Sequence, residues 1–215
     1  MKKVPFFANT PDDTHCVQAS FRIMLKYFMP DREFSYQRLE KMSGYMPGKG
    51  TWWPPMLIEL VDLGYSVKCI EGFDYSRFDK EGENYVKRLY RPETAEYYLE
   101  HSNLAEIRPI IGEFLKKVDV EARPANFNDI NNLLENDWLV GIDLNAAVLN
   151  DLERDDYLGH MVVIFDRQSD DYWLHDPGLK PMPNRRVSRQ KLSDAWFWSG
   201  PETAGLVALK LNGIS

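Results

Sequence analysis

Three side chains in this 215-residue sequence are of the types that form a nucleophilic centre: Cys16, His160 and Asp176. A cysteine thiolate can attack an amide carbonyl, a histidine can move the proton, and a carboxylate can orient the histidine and stabilise its charged form. Cys16 lies at the predicted start of a helix, where free backbone N–H groups favour an anion and therefore suit a reactive thiolate. A lone cysteine is more often a small buried hydrophobe, so the other two residues decide between these interpretations.

The histidine and the aspartate occupy matching positions at the ends of two predicted strands. His160 directly precedes an apolar run at 161–165, and Asp176 directly follows the run at 172–175. A Pro-Gly turn comes next. If the two strands form a hairpin, both side chains lie at the same end of neighbouring strands, where the carboxylate can hold the imidazole. Taken singly, they would more often be a structural histidine and an ordinary turn residue.

The elements that must position these residues change character along the chain. Up to about residue 72 the pattern is helical, with Val17, Phe21, Met24 and Phe28 on one face of the first helix. Proline can open a helix and glycine can end one, and both occur around the third helical stretch. The predicted elements are helices at 16–28, 34–42 and 56–63 and a strand at 65–70.

The rest of the chain divides into a helical block and a block of strands. Residues 73–123 are charged and aromatic with helical periodicity, which predicts an all-helical insertion. Short runs rich in Val, Ile, Leu and aromatic residues follow, and they predict an antiparallel sheet. The predicted strands lie at 138–144, 161–165, 172–175 and 206–211. Helices first and strands later indicate an α+β fold, and the length suits one domain of residues 1–215.

Composition excludes several classes of partner. The 26 Lys and Arg residues stand against 33 Asp and Glu residues, a net charge of −7, and basic residues form no run longer than a pair. Nucleic acid and anionic membranes are therefore not expected as partners. Two cysteines, Cys16 and Cys69, are too few for a disulfide framework, which favours a reducing compartment, and we expect a cytoplasmic protein without a signal peptide. The Cys and His residues lack zinc-ligand spacing, so we expect neither metal nor organic cofactor.

Several segments of the chain occur in an order that a known family shares. They are Val-Pro-Phe-Phe at 4–7, His-Cys-Val-Gln-Ala-Ser at 15–20, Gly-Thr-Trp at 50–52, Gly-His-Met-Val-Val at 159–163, His-Asp-Pro-Gly at 175–178, and 192–198. These segments resemble papain-like cysteine peptidases of the bacteriocin-leader-processing type, also called double-glycine peptidases. The family pattern near the nucleophile is Val-Pro-Tyr, then a Gln, then Asp-Cys-Gly-Pro-Ala-Ser. Residues 73–123 have no counterpart in this resemblance.

The resemblance implies a papain-like fold, in which an N-terminal helical part packs on a C-terminal antiparallel sheet. It also implies that Cys16 is the nucleophile, that His160 is the base and that Asp176 orients the imidazole. In the family, a glutamine upstream of the cysteine lends its amide to the oxyanion hole. The position that matches this glutamine is Asn9, whose side chain is one methylene shorter.

Two further positions depart from the family pattern around the nucleophile. Val17 replaces a glycine, which narrows the space beside the thiol. His15 replaces an aspartate, and we expect a solvent-facing or capping role for it because adjacent residues on a helix point apart. Gln18 would be a substitute amide donor only if it turned inward, which its helical position disfavours.

These features predict a thiol protease or amidohydrolase that acts on a peptide or small amide substrate. The same triad would also serve acyl transfer to an amine or thiol, as in transglutaminase-like and phytochelatin-synthase-like enzymes. A catalytically silent peptide-binding module is the third interpretation, and Asn9 and Val17 favour it. The acidic residues Glu153, Asp155 and Asp156 precede the histidine strand, and they would favour a positively charged substrate.

Overall fold

The computed structural model describes residues 2–154, 156–178 and 180–213. Its N-terminal part closely follows the predicted pattern, and the ends of its elements follow local chemistry. Ser35 caps the second helix by accepting a hydrogen bond from the Arg38 backbone N–H at 3.2 Å, and Gly44 ends that helix with a φ of 62°. The elements of this part are α1 (Cys16–Phe28), α2 (Tyr36–Ser43), α3 (Pro54–Asp62) and β1 (Tyr65–Glu71).

The middle block, residues 73–123, is helical for most of its length. Tyr75 and Phe114 are buried in the same core as α1 and α3. The prediction of an all-helical block is wrong at its end, because Asp119–Ala122 forms a strand that pairs in parallel with β1. This strand is too short and too polar to show a strand pattern. The elements are α4 (Tyr75–Glu81), α5 (Glu83–Leu89), α6 (Pro92–His101), α7 (Leu104–Ile107), a 3-10 helix (Arg108–Ile110), α8 (Ile111–Lys117) and β2 (Asp119–Ala122).

The C-terminal part contains the strands that carry the histidine and the aspartate. One strand, Met182–Ser188, was not predicted because its proline and its arginines hide the pattern, as is common at a sheet edge. The elements are α9 (Phe127–Glu135), β3 (Leu139–Asn145), α10 (Ala146–Leu149), β4 (Gly159–Gln168), β5 (Asp171–Asp176), β6 (Met182–Ser188), α11 (Arg189–Trp196), a 3-10 helix (Pro201–Thr203) and β7 (Gly205–Leu211).

All the strands join one sheet, in the order β2-β1-β7-β3-β4-β5-β6. Neighbouring strands run antiparallel except for the parallel pair β1 and β2. The sheet therefore draws strands from both halves of the chain, and the predicted α+β class is confirmed.

Helices cover both faces of this sheet. On β4, Met161 and Val163 belong to the core beneath α1, whereas Val162 and Ile164 belong to the core beneath α9 and α11. This alternation follows from the two-residue period of a strand. Across the described residues, no helix has both the length and the apolar character that crossing a membrane requires.

Candidate active site

The candidate nucleophile is the first residue of α1. Cys16 is a free, half-buried thiol, and the residue in front of it, His15, supplies no side-chain cap to the helix. The first backbone N–H groups of a helix lack intrahelical partners and can therefore receive negative charge. α1 packs across β4, which brings its N-terminus to the strand that carries His160.

His160 is the second residue of β4 and lies between two partners. Its Nε2 atom is 2.7 Å from Asp176 Oδ1, and the Cys16 side chain is the second neighbour that acts on the imidazole. Burial acts to lower the pKa of His160, but the hydrogen bonds to Asp176 and Cys16 outweigh it and raise the pKa to about 10. The imidazole is therefore a cation at neutral pH.

Asp176 ends β5 and is almost excluded from solvent. Burial opposes its ionisation, but the hydrogen bond and charge of His160 dominate and keep the pKa of Asp176 below its usual value. The backbone N–H of Gly178 donates to Asp176 Oδ1 at 3.1 Å, so the turn after the strand also supports the carboxylate. β4 and β5 form an antiparallel pair, with Val163 opposite His175.

Arg185 holds the other oxygen of this carboxylate, and the sequence analysis did not identify it. Arg185 Nη1 donates to Asp176 Oδ2 at 2.8 Å and to Asn150 Oδ1 at 2.7 Å, and Nη2 donates to the Leu149 carbonyl at 2.6 Å. On β6, Arg185 lies opposite Leu174 and so shares a face with Asp176 two residues further on. Arg185 could have been identified from the sequence only if residues 182–188 had been recognised as a strand next to β5.

Asn9 lies in the loop before α1, where its side chain makes several local hydrogen bonds. Its Oδ1 atom accepts from the backbone N–H groups of Thr10 and His15, each at 2.8 Å, and its Nδ2 atom donates to Asp13 Oδ1 at 2.7 Å. The Asn9 backbone N–H donates to the Pro177 carbonyl at 2.7 Å, which ties this loop to the turn after Asp176. One of the two amide hydrogens of Asn9 is thus engaged by Asp13.

His15 is buried rather than solvent-facing, so that expectation is wrong. Its Nε2 atom donates to Glu40 Oε1 at 2.8 Å, Thr14 Oγ1 lies 2.7 Å from Nδ1, and the ring packs against Tyr45 with centroids 4.5 Å apart. The capping role is not observed either, because His15 occupies the N-cap position without a capping bond from its side chain. His15 instead pins the start of α1 to α2.

The two residues after Cys16 on α1 have partners outside the candidate site. Gln18 is buried and donates from Nε2 to Ser43 Oγ at 2.8 Å, so it does not substitute for Asn9 as an amide donor. Val17 is half-buried and packs against the larger core.

The remaining polar candidates form no metal site. His175 points to the opposite face from Asp176 and is structural, since Nε2 donates to the Val4 carbonyl and Nδ1 accepts from the Asn184 backbone N–H, each at 3.0 Å. Within the ranges that the structure describes, no group of His, Cys, Asp and Glu side chains could hold a metal ion. Of the acidic run before β4, Glu153 and Asp156 are exposed, and Asp155 lies outside the described residues.

Comparison with known proteins supports the fold. No protein-family model matches the chain, and no curated protein matches it. The chain is similar to the crystal structure of a double-glycine motif protease from an AMS/PCAT transporter in complex with the leader peptide, with a TM-score of 0.50, 12% identity, and coverage of 98% of this chain and 93% of that chain. A Bacillus anthracis protein described as a C39-like peptidase matches with a TM-score of 0.48, 15% identity, and coverage of 98% and 96%. The chain therefore has the papain-like fold of the double-glycine peptidases that the sequence resemblance implied.

Proposed function

We propose that this chain is a cysteine peptidase or amidohydrolase in which Cys16, His160 and Asp176 form a catalytic triad. The observation that carries this proposal is the buried His160 imidazole, which is bonded to the Asp176 carboxylate and interacts with the Cys16 thiol. The pKa of His160, raised to about 10, keeps the imidazole charged at neutral pH, so a cation stands ready beside the proposed nucleophile.

Each residue of the line has a role in acyl transfer. The Cys16 thiolate attacks the carbonyl carbon of an amide, and the carbonyl oxygen becomes an oxyanion. The Cys16 backbone N–H and the free amide hydrogen of Asn9 are the proposed donors to that oxyanion. His160 then gives its proton to the leaving amine as the C–N bond breaks, which leaves a thioester on Cys16. Water, deprotonated by His160, hydrolyses the thioester and restores the thiolate.

The supporting contacts fit these roles. Asp176 holds His160 through Nε2 and stabilises its charged form, while Arg185 fixes the other oxygen of Asp176.

We also propose that residues 1–215 act as one domain in which the 73–123 block helps to select the substrate. The chemistry needs Cys16 as a reduced thiol, which fits a cytoplasmic protein.

A peptide is the favoured substrate over a small amide. The double-glycine motif protease that shares the fold was solved in complex with a leader peptide. No residue of this chain distinguishes hydrolysis from transfer to an amine, because the acceptor enters after the shared thioester has formed. Product analysis by mass spectrometry, with and without an added primary amine, separates these two reactions.

The test of the proposed function is the reactivity of the two cysteines. At about pH 6, iodoacetamide should alkylate Cys16 faster than it alkylates glutathione, because the helix N-terminus and the imidazolium favour a thiolate. Cys69 is an internal control, since it is fully buried and should not react in the folded protein. Equal rates for Cys16 and glutathione, together with no cleavage of any peptide in a randomised pool, would instead indicate a silent peptide-binding module.

A further inference from the structure

An exposed pair of aromatic rings lies beside the candidate base. The ring of Tyr157 lies over Gly159, where a Cβ atom would come within 3.0 Å of it. Tyr157 stacks on Trp198 with ring centroids 5.8 Å apart and planes 30° apart, and the two residues remain 41% and 42% exposed. Large aromatic side chains are usually buried, so a stacked pair left open next to His160 is typical of a binding surface.

A carboxylate lies at the inner edge of these rings. The Tyr157 hydroxyl donates to Asp143 Oδ2 at 3.0 Å. On the sheet, Asp143 lies opposite Met161, the residue that follows His160. Asp143 is therefore fixed against the strand that carries the candidate base, and its side chain is still reached by solvent.

The surroundings of Asp143 lack a balancing positive side chain. Among the described residues, no lysine or arginine forms an ion pair with it, whereas Asp176 has Arg185 and Asp156 has Arg154. The surrounding protein reduces the hydration of the Asp143 carboxylate and raises its pKa to about 6, although solvent still reaches the side chain. Among the described residues, the positive group with the largest effect on Asp143 is the imidazolium of His160.

Two groups on other elements, a phenol and a second carboxylate, interact with the charge of Asp143. Tyr98 belongs to α6 of the 73–123 block, and the charge of Asp143 contributes to the raised pKa of Tyr98, which burial mainly causes. Glu71, at the end of β1, lies opposite Gly205 on β7, and the ring of Trp53 packs against that glycine. Burial first, and then the charge of Asp143, raise the pKa of Glu71 to about 7. Tyr98 and Glu71 therefore interact electrostatically with Asp143 from elements outside its own strand.

We propose that the cleft selects peptides with a lysine or arginine side chain beside the bond that Cys16 attacks, with Asp143 as the specificity-determining carboxylate. The Tyr157 and Trp198 rings would receive the aliphatic stem and the cation, and Asp143 would form the ion pair. This inference rests on the proposed function and deepens it. Glu153 and Asp156 are exposed to solvent. We therefore assign the preference for a positively charged substrate to Asp143 instead of to these two residues.

The experiment compares peptide pools in which one position is fixed. Acetylated, amidated octapeptide pools with fixed lysine, arginine, norleucine or glutamate are incubated with the wild-type protein, and cleavage is followed by mass spectrometry. The same pools are titrated against the C16A variant, which measures binding without turnover. We expect lysine or arginine to be preferred over norleucine about tenfold at one position, in both cleavage and binding.

Two variants test whether Asp143 is responsible. D143N retains the shape and the acceptor for the Tyr157 hydroxyl but removes the charge, so the preference should fall to within about twofold. E153Q removes an acidic charge from the nearby exposed loop and should leave the preference unchanged. If D143N does not fold, the preferences of the wild-type protein and of E71Q at about pH 5 and pH 7.5 replace it. Asp143 and Glu71 both titrate between these values, so a lysine preference that falls at pH 5 in E71Q as it does in the wild type assigns the effect to Asp143, and a preference that no longer falls in E71Q assigns it to Glu71.

The outcomes separate this inference from the proposed function. Equal binding and cleavage of lysine and norleucine pools, or a preference that survives in D143N, would overturn the role of Asp143 and leave the peptidase intact. A lysine preference in C16A binding that depends on Asp143, with no cleavage by the wild-type protein, would support the subsite and overturn the peptidase.

Discussion

Two buried histidines on neighbouring strands of the sheet show opposite behaviour. His160 on β4 is 6% exposed and His175 on β5 is fully buried. The pKa of His160 is raised to about 10, whereas burial lowers the pKa of His175. His160 contacts a carboxylate and a thiol, while His175 contacts a backbone carbonyl and a backbone N–H.

The partners of each buried imidazole, rather than its burial, therefore set its protonation state in this protein. Desolvation disfavours the cation at both positions, and only His160 has an anion that compensates. The region of His160 therefore suits the proton transfer that we propose, and His175 joins β5 to Val4 of the N-terminal segment and to Asn184 of β6. Four experiments test this difference and the contacts around His160.

The largest effect is expected from removing each histidine in turn. H160A should lower turnover by about 10⁴-fold or more, because no other group is placed to protonate the leaving amine. H175Q should leave kcat within about twofold and reduce the free energy of unfolding by about 1–3 kcal/mol through its buried hydrogen bonds. Peptide cleavage and urea denaturation measure the two quantities. A folded H175Q protein as inactive as H160A would contradict the assignment of His175 to structure.

The next effect concerns Asn9, whose loop is bonded to the turn beyond Asp176. If its free amide hydrogen stabilises the oxyanion, N9A should lower kcat by about 10²- to 10³-fold. The double variant N9D/D13N exchanges the amide and the carboxylate, so it keeps the hydrogen bond between positions 9 and 13 but removes the donor from position 9. It should be as inactive as N9A. Turnover close to wild type in the double variant would make Asn9 a loop anchor only.

A smaller effect is expected from Arg185, which lies behind Asp176 and outside substrate contact. R185M should lower kcat by about 10- to 100-fold with KM unchanged, because Asp176 loses the bonds that orient it. R185K keeps the charge and should recover part of the loss. R186M is the matched control, since Arg186 is the adjacent, exposed arginine of β6 and pairs with Asp171 instead. Equal losses in R185M and R186M would point to a general effect on β6.

The smallest effect is a difference in pH dependence between the two histidines. Since the folded-state pKa of His160 is raised, its contribution to stability is complete below an unfolded pKa of about 6.5 and is lost as the pH rises towards 10. The pKa of His175 is lowered, so its contribution is present above about 6.5 and is lost as the pH falls. Imidazole NMR signals followed across this range should show His160 charged and His175 neutral at neutral pH. Similar midpoints for both rings would remove the contrast.

The sequence predicted those parts of the site that depend on local pattern. Helix α1 was found at its observed bounds because its apolar residues recur at helical spacing, and Cys16 falls at its start. His160 and Asp176 were singled out because each adjoins an apolar run, and those runs form the paired strands β4 and β5.

The parts that were missed depend on contacts between distant segments. Arg185 and Asp143 look like ordinary charged residues until strand register places them beside Asp176 and Met161. β2 is recognisable as a strand only through its pairing with β1. The burial of His15 depends on Glu40 of α2 and on Tyr45, which follows that helix. Local periodicity carries no information on such pairings.

The continuity of the sheet has a mechanical consequence for the cleft. Strand β1 of the N-terminal half is hydrogen-bonded along its full length to β7, which in turn pairs with β3. A hinge between the halves would have to break that ladder, so the groove above it should keep a constant width. A ligand would then have to adapt its own conformation to the groove. Selectivity would come from the fixed shape of the groove rather than from closure around the ligand.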